Sequence, residues 1–61
     1  MKILALDLGK FKAVGCVYDT ESQATEYATI KMAPFPVHNL IVTHSPDRVV
    51  FEIGPSAYHA A

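Results

Sequence analysis

Two acids in this chain stand where acids are expensive. Asp7 closes the apolar run Ile3-Leu4-Ala5-Leu6, with Gly9 close behind it, and Glu52 interrupts the run Val49-Val50-Phe51-Glu52-Ile53. A carboxylate against apolar walls costs several kcal/mol unless a cation or hydrogen bonds compensate. Two carboxylates held close together repel unless a proton or cation sits between them. A hard divalent cation such as Mg²⁺, which takes oxygen ligands, is the natural partner of such a pair. Lys10 and Lys12 flank the turn after Asp7 and are candidate phosphate contacts. Each residue also has a plainer reading. Asp7 alone reads as a solvated strand-end acid, Glu52 as the partner of Arg48 or Lys10 in an ion pair, and the lysines as solvated surface.

The other reactive side chains carry less. His38 and His44 stand six apart, which is off the three or four spacing that puts two side chains on one helix face, so both read as surface or helix-end residues. His59 lies in a short C-terminal tail without a pattern around it. Cys16 is the only cysteine. It reads as a small core residue with no adjacent base to activate it.

For the two acids to meet, the elements between them must fold the chain back. Lys2 to Leu8 is short and apolar on both sides and ends at a glycine, which reads as a strand buried on both faces. Lys12 to Asp19 places Val14, Cys16 and Tyr18 on one side at period two. The polar stretch DTESQAT is a turn, and Thr25 to Met32 is a third strand with Tyr27 and Thr29 as β-formers. Short connections make these three an antiparallel meander. Val37, Leu40, Ile41 and His44 then recur at helical spacing, with Pro36 in the first turn and Pro46 as the stop. The segment DRVVFEIG is a fourth strand, Gly54-Pro55-Ser56 a loop, and Ser56 the N-cap of a further helix. A helix between strands supports a right-handed parallel crossover. The fourth strand beside and parallel to the first brings Asp7 and Glu52, 45 positions apart, to the C-terminal edge where open α/β sheets place their ligands.

Composition narrows the class. The chain has 61 residues, 51% of them hydrophobic, and a net charge of −1. That is one small domain at most, of a size that is marginal without help. The balance of charge gives no electrostatic footprint for nucleic acid or an anionic membrane. A lone cysteine fits a reducing compartment, and no run approaches the roughly 20 apolar residues of a membrane helix. A cytoplasmic location is the expectation.

The segments MKILALDLGKFKAV and SPDRVVFEIGPSA, taken together at this separation, resemble the N-terminal end of bacterial insertion-sequence transposases of the DEDD type, and more narrowly the IS one-ten family. The resemblance runs from Met1 to about Ala57. It implies an α/β, ribonuclease H-like (RuvC-like) mixed sheet: a three-stranded antiparallel meander, a crossover helix and a fourth strand parallel to the first. It implies that Asp7 and Glu52 are the first two acids of a quartet that holds Mg²⁺ or Mn²⁺ and activates water or a 3′-hydroxyl for phosphoryl transfer. DNA, and an RNA from the element itself, are the implied partners. The remaining two acids and a C-terminal domain have no counterpart in these 61 residues. Residues 1–61 therefore read as an N-terminal fragment of the catalytic domain, an incomplete domain that is inactive alone. One helix for four strands leaves a sheet face uncovered, and that face is open to self-association.

Two other classes compete. Sugar-kinase and actin-like ATP-binding domains start with a similar strand-Asp-x-Gly turn, but their phosphate hairpin carries hydroxyls after the glycine, where this chain has Lys10-Phe11-Lys12. A small non-catalytic interaction protein, using the uncovered face, is the third.

Overall fold

The computed structural model describes residues 1–53 and 56–58. Its elements run β1 (Lys2–Leu8), β2 (Lys12–Asp19), β3 (Thr25–Lys31), α1 (Pro34–His44), β4 (Arg48–Ile53) and β5 (Ser56–Tyr58). They form a mixed α/β structure with one sheet in the order β3-β2-β1-β4-β5. β1, β2 and β3 pair antiparallel, and β4 lies parallel to β1. The meander, the single helix and the parallel fourth strand all stand where the hydrophobic pattern puts them.

Each connection has a local cause. Between β1 and β2 the Gly9 N–H donates to the Lys12 carbonyl at 3.0 Å. A Cβ on Gly9 would lie 2.6 Å from that same oxygen, so only glycine closes the turn. Between β2 and β3 the Asp19 carboxylate accepts from the Glu21 N–H at 2.9 Å, and Gln23 adopts φ 62. These are the turn habits of Asp and of polar residues in the left-handed region. Pro34 opens α1 with its pre-set φ, and no side chain caps the start. The helix stops at Ser45, which takes φ 47 and donates its N–H to the Ile41 carbonyl at 2.9 Å. Pro46 then bars another turn.

Strand alternation sorts the side chains onto two faces. Leu4, Leu6, Ala13, Val17 and the helix residue Leu40 are the buried hydrophobic residues, with Leu8, Ala28, Ile30, Val37, Ile41, Val49 and Phe51 packed around them. α1 covers this face. Gly15 is what lets it come close: a Cβ there would meet Leu40 Cδ2 at 2.8 Å. The other face holds Ile3, Ala5 and Asp7 of β1, Val14, Cys16 and Tyr18 of β2, and Val50 and Glu52 of β4, as the paired registers require. No helix covers it among the described residues.

Four expectations need correction. Lys2–Leu8 is buried on the helix side only, with Ala5 and Asp7 exposed on the open face. Ser56 does not cap a helix: Ser56–Tyr58 forms β5, antiparallel to β4. Cys16 is not in the core; it is half-buried on the open face, because Ala13, Gly15 and Val17 are the alternate residues that meet the helix. The third strand ends at Lys31, not Met32. The loop reading of Gly54 and Pro55 and the comment on His59 lie outside the described residues.

Candidate metal centre

The register between β1 and β4 decides whether the two acids meet, and it is set at the far end of the strands. Lys2 and Asp47 bind each other twice: the Lys2 N–H donates to Asp47 Oδ2 at 2.8 Å, and the Asp47 N–H donates to the Lys2 carbonyl at 2.8 Å. Lys2 Nζ also donates to the His44 carbonyl, the last of the helix, at 3.1 Å. These contacts fix Ile3 opposite Arg48, and parallel pairing carries the alignment forward through Leu4–Val49, Ala5–Val50 and Leu6–Phe51 to Asp7–Glu52.

Asp7 and Glu52 are therefore lateral neighbours on parallel strands, and neighbours in register point to the same face. Backbones of adjacent strands are about 4.8 Å apart, so the two carboxylates have room for one ion between them. Both are exposed, on the open face near the C-terminal edge. Among the described residues no side-chain hydrogen bond or ion pair engages either one. Arg48, the suggested partner of Glu52, stands on the same face but four residues down the strand, about 13 Å away along it. Lys10 instead places its Nζ 5.6 Å from the centroid of the Phe11 ring, a cation–π contact within the turn.

The donor set is all-oxygen, which suits Mg²⁺ or Mn²⁺, and Mg²⁺ commonly keeps several waters while taking only one or two carboxylates. Among the described residues no third His, Cys, Asp or Glu joins the pair. Asp7 and Glu52 thus fit a hard cation as two ligands and no more. His38 is exposed, and His44 is half-buried at the opposite edge. The cavity of about 460 Å³ that His44 helps to line, with Lys2, Asp19 and Glu26, lies at that opposite edge. A second hollow of about 390 Å³, between Met32, Val37 and Ile41, lies beside the helix. Neither contains the acids.

The candidate phosphate residues separate. Lys10 belongs to the turn, while Lys12 starts β2 on the open face, diagonal to Asp7, whose direct partner is Val14. Lys12 pairs across the strands with Lys31, a residue that sequence reasoning passed over. Its signal was the period-two alternation continued across the hairpin from Val14 and Thr29. No helix is long and apolar enough to cross a membrane among the described residues. No family model, no curated protein and no solved structure matches the chain.

Proposed function

We propose that this chain is the N-terminal part of a DEDD-type, RuvC-like transposase domain with a ribonuclease H-like fold, and that Asp7 and Glu52 are its first two metal-holding acids. One observation carries the reading: the Asp7–Glu52 register pair, two exposed acids with no cationic side chain bound to them among the described residues, at the C-terminal edge of a parallel strand pair. Selection for a stable surface disfavours like charges directly opposite each other. A bound cation turns that liability into a site.

In this reading Asp7 and Glu52 would hold one ion as its two protein ligands. When bound, Mg²⁺ or Mn²⁺ supplies Lewis-acid charge stabilisation for phosphoryl transfer. Two ligands bind an ion weakly, so the 61-residue chain is expected to bind metal without catalysing strand cleavage by itself. An element-encoded RNA and the cytoplasmic location belong to the same proposal.

Titration calorimetry with Mg²⁺ tests it. The reading predicts one weak site that is lost in both Asp7→Asn and Glu52→Gln. No binding, or binding unchanged by either substitution, contradicts it. Saturable ATP binding that survives Glu52→Gln would favour the sugar-kinase and actin-like class instead.

A further inference from the structure

A net charge of −1 hides a segregation of charge between the two sides of the sheet. Of five Lys and Arg residues, Lys12, Lys31 and Arg48 stand on the open face by register, and Lys10 sits in the turn at its rim. Of six acids, only Asp7 and Glu52 share that face. Asp19 and Glu26 alternate onto the helix-covered side, Glu21 is in the β2–β3 turn, and Asp47 precedes β4. The open face and its rim thus hold more cations than acids, and both acids are the proposed metal ligands.

Lys12 and Lys31 are direct cross-strand partners. Like charges so placed are destabilising, and a phosphate relieves the repulsion as a cation relieves that of Asp7 and Glu52. Aromatic rings lie on the same face. Tyr27 is 72% exposed and pairs with Cys16, so Tyr18 is its diagonal neighbour. Such neighbours are about 7–8 Å apart. Lys31 stands four residues beyond Tyr27 on β3, about 13 Å along the strand.

We infer that the open face binds an unpaired strand of DNA, its backbone held by Lys12 and Lys31 and its bases stacked on Tyr27 and Tyr18. The observation behind this is the Lys12–Lys31 pair and the exposed tyrosines on the one face that also carries Asp7 and Glu52. A groove of cations with aromatic platforms is how single strands are held, and paired bases offer no free π-face to such rings. The choice of DNA rests on the function proposed above, and the strand's approach to the acids names the form of substrate that site would receive.

Fluorescence anisotropy with a labelled thymidine oligomer of about 12 nucleotides, in EDTA and then in Mg²⁺, tests the inference on the 61-residue chain. Tyr27→Ala should weaken binding about ten-fold, and Tyr27→Trp should retain it. Lys12→Gln and Lys31→Gln should each reduce the salt slope by about 0.7. Phe35→Ala is the control, because Phe35 is 76% exposed but lies on the helix; it should change nothing. Amide spectra of each variant establish that it is folded. Tighter binding of a duplex, tighter binding of the matching RNA, an unaffected Tyr27→Ala, or self-association that buries Tyr27 at the expense of DNA would each overturn the inference. Because the EDTA arm needs no metal, loss of strand binding and loss of the metal site are read separately.

Discussion

Asp7 and Glu52 face each other as like charges, and if they form the proposed site a bound cation offsets their repulsion, an effect measurable without any activity. In EDTA, Glu52→Gln removes one of two facing charges and should raise the Tm by about 1–3 °C. Adding Mg²⁺ at about 10 mM should reverse the order, because only the parent chain gains a bound ligand. Thermal unfolding in the two buffers checks both halves. Asp19, in contrast, belongs to the fold. The hydrogen bond from the Glu21 N–H holds the Asp19 carboxyl below its ordinary value, against an opposing effect of desolvation. A lowered folded value stabilises the chain above the unfolded carboxylate range, and the contribution fades as pH falls through the folded value. Urea midpoints should therefore decline below about pH 4, and Asp19→Asn, which retains an oxygen acceptor, should flatten that decline.

At the scale of elements, the helix and sheet meet through an absence of side chain. Gly15→Ala puts a methyl 2.8 Å from Leu40 Cδ2. The leucine tip can turn aside, so the cost should be about 1–3 kcal/mol, and Gly15→Val should cost more. Paired with Leu40→Ala, the loss should be less than additive; urea denaturation of the four proteins closes the cycle. The element order was legible because short apolar or period-two runs are separated by polar turns, and the helical spacing of Val37, Leu40, Ile41 and His44 stands between prolines. The parallel placement of β4 was legible because a helix stands between it and the meander and its apolar run matches that of β1. Which side of β2 meets the helix was not. Val14, Cys16 and Tyr18 are the bulkier set, yet Ala13, Gly15 and Val17 form the core side, since small residues admit the helix. The short β5 was read as a helix because Ser56 is a good N-cap in isolation. Its pairing with β4 supplies hydrogen bonds that a cap preference does not foresee. The Asp7–Glu52 pair was visible from strand order alone. Lys31 and the Tyr27–Tyr18 diagonal required register.

The whole molecule has a thin core. Among the described residues its fully buried large side chains are Leu4 and Leu6, on the strand that also carries Asp7. Leu6→Ala removes about 2–5 kcal/mol, comparable to the entire stability that a core of this size supplies. The variant should be unfolded by circular dichroism at 25 °C, and a cooperative native melt would contradict that expectation. The buried hydrophobic residues lie on the helix side of the sheet, while the open side mixes Ile3, Ala5, Val14 and Val50 with charge and aromatic rings. The proposed metal ligands, the lysine pair and the tyrosines consequently share a face that the helix does not occupy.

The most direct test is a Mn²⁺ titration of the isotopically labelled chain, following the paramagnetic broadening of backbone amides. The account predicts broadening that begins at Asp7, Leu8 and Glu52, spreads to Val14 across the strand, and disappears in both Asp7→Asn and Glu52→Gln. Broadening centred on Asp19, Glu21 and Asp47, or persisting in either variant, would show that the acids do not act as one site and would contradict it.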